Sequence, residues 1–143
     1  MSEQIPKVKL GINRVIDANI NRAKEGLRVC EEITRFILEN RSLTAALKRL
    51  RHRLDCLAGI LKTPTKLLEG RNAAKDTGRT IYANELKRNG LRDLFFANMQ
   101  RVKESLRVLE EFSKLNNIKT ALSFKEIRYE VYELEKKIAQ KIP

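Results

Sequence analysis

The sequence predicts an all-α fold, and three observations carry that prediction. Apolar residues recur at spacings of three, four and seven, the period of a helix with one buried face. No stretch alternates apolar and polar residues between turn residues, so strand signals are almost absent. One charged helical pattern is also written twice. "DANINRAKEGLRVCEEITRF" (17–36) and "FANMQRVKESLRVLEEFSKL" (96–115) align without a gap and are identical at ten positions.

The first helix is expected from Asn13 to about Asn40, with Ile16, Ile20, Ala23, Leu27, Cys30 and Ile37 as its apolar stripe. Ser42 suits the N-cap of a second helix reaching Leu61, whose stripe is Leu43, Leu47, Leu50, Leu54, Leu57 and Leu61. Residues 62–90 break the pattern with Pro64, Gly70, Gly78 and Gly90, and read as short helices around the loop "GRNAAKDTGRTIY". A third long helix is expected from about Leu91 to Leu115. A fourth runs from about Ser123, where Glu126 completes a capping-box spacing, to Ile142. "LKRLRHRL" (47–54) also matches "FKEIRYEV" (124–131), including Lys48/Lys125 and Arg51/Arg128. The halves, about 13–61 and 91–142, therefore read as two similar helical hairpins joined by a connector, 62–90. Four helices packed about a pseudo-two-fold axis bury such stripes economically.

With 143 residues, 42% of them apolar and 34% charged, the chain suits one helical domain. No apolar run approaches the ~20 residues needed to cross a bilayer, and the N-terminus lacks a signal-peptide core. A cytoplasmic protein with no membrane partner is expected. Cys30, Cys56 and the single histidine, His52, form no zinc spacing and supply no obvious histidine base. Both cysteines read as small buried residues and His52 as a surface one. The net charge of +12 points to anionic partners. The basic residues are spread among glutamates rather than clustered, which makes nucleic acid an unfavoured partner.

A second stripe runs beside each core face: Ala18, Arg22, Glu25, Val29, Ile33 and Phe36, and its counterpart Ala97, Arg101, Glu104, Val108, Phe112 and Leu115. In each an arginine and a glutamate interrupt an apolar row, one turn after Asn19 or Asn98. Charges on a partly buried face must be paired or used. Two readings stand: Arg22–Glu25 and Arg101–Glu104 pairs at i,i+3, or convergence of the two sets on a polar pocket. The outer charges, Lys24, Arg28, Glu31, Glu32 and their counterparts, read as a solvated face. In the connector, Arg71, Lys75 and Arg79 surround Asp76 between Gly70 and Gly78. That spacing is not a Walker motif, but the composition suits phosphate oxygens and a metal ion at Asp76.

The two repeated segments and "FKEIRYEVYELE" resemble the all-helical domain often fused ahead of thiamin-phosphate synthase, which also occurs alone as a monofunctional hydroxymethylpyrimidine-phosphate kinase. The likeness runs from about Val15 to Glu135. The family's linker pattern of Arg, Asp or Asn, then Asp and Gly, matches Arg71, Asn72, Asp76 and Gly78, although this loop is shorter in its later part and lacks a proline usual there. The resemblance implies transfer of the γ-phosphoryl of ATP, with Mg²⁺, to 4-amino-5-hydroxymethyl-2-methylpyrimidine phosphate. Asp76 and Arg71 would then serve catalysis, Asp76 as a metal ligand. Asn19, Arg22, Glu25, Asn98, Arg101, Glu104, Arg128 and Tyr132 would bind the phosphorylated pyrimidine and the nucleotide, with Tyr129 and Tyr132 weighed for stacking the pyrimidine ring. Docking on thiamin-phosphate synthase, a homodimer, and a non-catalytic basic module that binds nucleic acid all remain open at this point.

Overall fold

A computed structural model of the chain describes residues 4–61, 64–80 and 86–143. Ile81 and Tyr82, read above as part of the connector loop, lie outside them. Among the described residues there is no strand. The long helices are α1 (Gln4–Glu32), α2 (Arg41–Leu61), α4 (Leu91–Ser113) and α5 (Ile118–Ala139), with a short α3 (Pro64–Gly70) and a 3₁₀ turn (Ala73–Lys75) in the connector. α1 lies along α4, each is flanked by its hairpin partner, α2 touches α5, and α3 rests on α1. The core between them takes in the expected stripes of α1 and α2, except Ile37, which lies just past the end of α1 and is 56% exposed. Ile16, Leu27, Leu47 and Leu54 are fully buried, joined by Phe95, Met99 and Leu106 of α4 and Phe124 and Ile127 of α5. The matched positions Leu47/Phe124, Leu50/Ile127 and Leu54/Val131 are buried in both hairpins.

α1 and α4 approach each other tightly at Gly26. A Cβ there would lie 2.6 Å from Val102 Cγ2 and 2.9 Å from the Asn98 carbonyl oxygen, so a side chain would push the helices apart. At the start of α4, Gly90 has φ +140°, a conformation that L residues rarely adopt.

Four helix ends differ from the expectation. α1 begins nine residues earlier than Asn13, because nothing between Gln4 and Ile12 stops a helix. Pro6 sits in its first turn, where the missing N–H has no partner to lose. That extension exposes Val8 and Leu10, which is why the apolar period did not reveal it. At its other end α1 widens into a π-turn, Ile33–Ile37, with Leu38 N–H donating to the Ile33 carbonyl at 3.0 Å. The cap of α2 is Asn40 rather than Ser42: Asn40 Oδ1 accepts from Leu43 N–H at 3.0 Å and from the Ser42 hydroxyl at 3.1 Å. The cap of α5 is Asn117 rather than Ser123. Asn117 Oδ1 accepts from Thr120 N–H at 3.2 Å, while Ser123 donates back to the Lys119 carbonyl inside the helix.

Two further expectations are corrected. Cys30 is buried as expected, but Cys56 is exposed. Glu31 and Glu110 are not part of a solvated face. They are only 3% and 4% exposed, and each is met by the arginine that recurs on the neighbouring helix. Arg51 donates to Glu31 through Nε at 2.6 Å and Nη2 at 3.1 Å, and Arg128 donates to Glu110 through Nη2 at 3.1 Å. The hydrogen bond to Glu31 is the main cause holding the Arg51 pKa above its ordinary value. Burial works against the charge of Arg128, but Tyr132 and Glu110 outweigh it. These cross-helix pairs tie α1 to α2 and α4 to α5.

Candidate functional site

Where α1, α4 and the connector meet, a groove of about 640 Å³ opens. Its helical wall carries Arg14, Asn19, Arg22 and Glu25 from α1 and Arg101 from α4. The facing wall carries Arg71, Asn72, Ala73, Asp76 and Gly78. Six of the ten residues named above for catalysis or binding thus line one surface: Asn19, Arg22, Glu25, Arg71, Asp76 and Arg101. A neighbouring groove of about 370 Å³ holds Glu25 and Arg101 again, now with Arg88, Asn98 and Glu104. Arg128 and Tyr132 stand apart, in a third recess of about 300 Å³ beside Lys103 and Arg107. That separation puts them beyond the wall that carries Asp76.

The charges are not held as the i,i+3 reading supposed. Among the described residues, neither Arg22–Glu25 nor Arg101–Glu104 forms an ion pair, and all four side chains belong to exposed residues. Glu104 accepts instead from Gln100 Nε2 at 3.0 Å. Arg14, Arg22 and Arg101 have no ion-pair partner among the described residues. Asn19 and Asn98 make identical internal contacts, each donating its amide to the carbonyl four residues back at 2.8 Å. This use of the amide N–H leaves the side-chain oxygen as the remaining acceptor of each.

The connector is fixed by a residue that sequence reasoning passed over. Asp17 takes a bidentate contact from Arg71, Nε to Oδ2 at 2.8 Å and Nη2 to Oδ1 at 2.7 Å. Hydrogen bonding to this carboxylate is the main cause holding the Arg71 pKa above its ordinary value. Arg71 is therefore committed to α1 rather than to Asp76, which corrects the expectation that it would surround that carboxylate. Asp76 instead closes its own turn, its Oδ1 accepting from Gly78 N–H at 2.9 Å. Asn72 does likewise for Lys75 N–H at 3.2 Å. Asp17 does not stand out in the repeat because its counterpart in the second copy is Phe96 rather than an identical residue. Its signal was the departure itself: a carboxylate on a buried register, 8% exposed, that needs a partner.

Among the described residues no three histidine, cysteine or carboxylate side chains cluster as a metal cage. A Mg²⁺ ion that travels with a nucleotide needs less, because phosphates and waters fill most of its octahedron. Asp76 and Glu25, both on the groove wall, are chemically suited to supply the one or two carboxylate contacts such an ion takes.

The model of the ThiD2 family matches residues 14–137, nearly the whole helical core. The chain belongs to the ThiD2 family. Its relatives include proteins named thiamine-phosphate synthase. The one from Synechocystis sp. is 43% identical over 130 residues, covering 87% of this chain and 35% of that protein. The one from Nostoc punctiforme is 41% identical over 134 residues, 93% of this chain and 36% of that protein. The one from Rhodopirellula baltica is 40% identical over 131 residues, 88% and 35%. This ThiD2-family chain spans about a third of the length of these curated relatives. No solved structure matches it. No helix among the described residues is long and apolar enough to cross a membrane.

Proposed function

We propose that this ThiD2-family chain is a kinase of thiamin biosynthesis that transfers the γ-phosphoryl of Mg²⁺–ATP to 4-amino-5-hydroxymethyl-2-methylpyrimidine phosphate, giving the diphosphate. The observation that supports it best is the groove between α1, α4 and the connector, where Arg14, Arg22 and Arg101 have no ion-pair partner among the described residues and face the Asp76 wall. Cations held ready without internal partners suit polyanionic ligands. Membership of a family whose relatives are named thiamine-phosphate synthase supports the pathway.

The chemistry fits the residue inventory. The nucleophile is an oxygen of a phosphate monoester, whose second pKa is about 6. It is already largely deprotonated at neutral pH, so no general base is required and the scarcity of histidine costs nothing. Phosphoryl transfer depends instead on alignment and on neutralising charge at the transferring group. Arg22 and Arg101 would contact phosphate oxygens, Asp76 would hold the nucleotide's Mg²⁺ directly or through water, and Asn19 and Asn98 would offer acceptors to amino groups. Arg128, already bound to Glu110 and Tyr132, would hold helices rather than substrate.

Purified protein incubated with ATP, Mg²⁺ and the pyrimidine monophosphate should form the diphosphate, read by chromatography and mass spectrometry. No product above an enzyme-free control, across several metals and nucleotides, would overturn the reading. Nucleic-acid binding that falls steeply with salt, or tight association with thiamin-phosphate synthase, would then favour the non-catalytic alternatives.

A further inference from the structure

The larger and smaller grooves share a wall, and among the described residues only two side chains line both: Glu25 of α1 and Arg101 of α4. Every other cation on these walls, among the described residues, belongs to one groove alone: Arg14, Arg22 and Asp17-bound Arg71 to the larger and Arg88 to the smaller. Sequence equivalence would give Arg22 and Arg101 equal standing, but the geometry does not. The one-sided connector deepens the groove beside Arg22, while the crossing at Gly26 brings α4 close enough for Arg101 to reach both sides.

A transfer between two bound ligands must happen where their sites touch. Resting on the kinase reading above, we propose that the larger groove takes the nucleoside triphosphate, the smaller takes the phosphorylated acceptor, and Arg101 is the catalytic cation at the point of transfer. The volumes agree with that assignment, since the triphosphate is the bulkier ligand. An acceptor phosphate oxygen forms a bond to Pγ as the bond from Pγ to the β,γ-bridging oxygen breaks. The electron pair leaves with that oxygen on the nucleoside diphosphate, and no proton need move. Charge accumulates on the equatorial oxygens of the moving group, beside the Arg101 guanidinium, whose fork can hold two of them at once.

The inference predicts a division of kinetic effects among Arg101→Met, Arg101→Lys, Arg22→Met and Arg88→Met. Because all three arginines are exposed, circular-dichroism melts should match wild type. Arg101→Met should lower kcat by about 100-fold or more while both KM values stay within about threefold. Arg101→Lys should recover part of that loss, because charge returns but the fork does not. Arg22→Met should raise KM for ATP, and Arg88→Met should raise KM for the pyrimidine phosphate. In calorimetry, Mg²⁺–ADP and the pyrimidine monophosphate should bind wild-type protein together. Competition between them, or an Arg101→Met enzyme with near wild-type kcat, would overturn the inference. If wild-type protein makes no diphosphate, the kinase reading falls by itself. The two-groove assignment then stands only if both ligands still bind together, Arg22→Met weakens Mg²⁺–ADP alone and Arg88→Met weakens the pyrimidine monophosphate alone.

Discussion

Asp17 and Phe96 occupy the same place in the two written helices, and the site grows out of that difference. The carboxylate recruits Arg71 and with it the connector, whereas Phe96 packs edge-on against Phe95 with the Arg92 guanidinium 5.4 Å from its ring. One end of the α1–α4 pair is thereby built over and the other is not. Asp76 lies on the added wall, so Asp76→Asn should fold normally, still bind the pyrimidine phosphate, and lose most Mg²⁺-dependent turnover. Near wild-type rates would mean that Asp76 only closes its turn. The cysteines separate equally clearly. Burial, aided by the charge of Glu135, raises the Cys30 thiol from 9.0 to about 12. The folded protein keeps that proton between about pH 9 and 12 while the unfolded chain releases it, so this contribution to stability is present below pH 9 and is lost as pH rises to 12. A thiol reagent at neutral pH should modify one equivalent quickly, at exposed Cys56, and reach Cys30 only on unfolding. Two fast equivalents would contradict the burial.

At the scale of elements, the pairs Glu31–Arg51 and Glu110–Arg128 differ in what remains when the arginine is removed. Among the described residues, Arg51→Met leaves buried Glu31 with only Arg28, at 3.7 Å, whereas Arg128→Met leaves Glu110 with Arg107 at 2.9 Å. Stranding a buried charge costs about 3–5 kcal/mol, so Arg51→Met should lower the denaturant midpoint more than Arg128→Met. The Nε of Arg128, which has no hydrogen-bond partner among the described residues, works in the same direction, because its removal relieves a buried unsatisfied donor. The reverse order would overturn the comparison. The helices themselves were legible because their stripes are long and regular. Their starts were not, because several residues compete to cap a helix. Asn40 lies two residues ahead of Ser42 and wins, and the Ser123 hydroxyl is satisfied within its own helix. Glu31 reads as solvated only while its own helix is considered alone. It stands one turn after Leu27 on the buried stripe, and the matched glutamates and matched arginines together spell two cross-helix pairs. The convergence of Arg22 and Arg101 could be posed from spacing but not decided, because helix periodicity fixes a face and not which face meets which.

The whole molecule carries a net charge of +12 without a basic block, and three arginines without an ion-pair partner among the described residues, Arg14, Arg22 and Arg101, line one groove. Polyanionic substrates should therefore be drawn in from a distance that shrinks with salt, about 10 Å of reach at 0.1 M and 3 Å at 1 M. KM for ATP should rise with ionic strength well before stability changes. A KM flat from low to high salt would argue that the charge excess serves something else. Because α2 and α5 close the core that α1 and α4 open, unfolding should be a single cooperative transition, with calorimetric and van't Hoff enthalpies in agreement.

The Asp17–Arg71 contact has an uneven character: the aspartate side chain is 10% exposed and the arginine side chain 45%. Opening it requires one partner to move, outward into water, and no packed apolar surface has to part. Its lifetime is therefore set by an arginine swinging free rather than by unfolding, and the exposed residues 71–80 can lift while α3, with Leu67 in the core, and the bundle stay packed. That makes the contact a hinge pin for traffic through the groove. The amide of Gly78, bonded to Asp76, should exchange its hydrogen at the pace of this lifting, far ahead of the amides along α1 and α4.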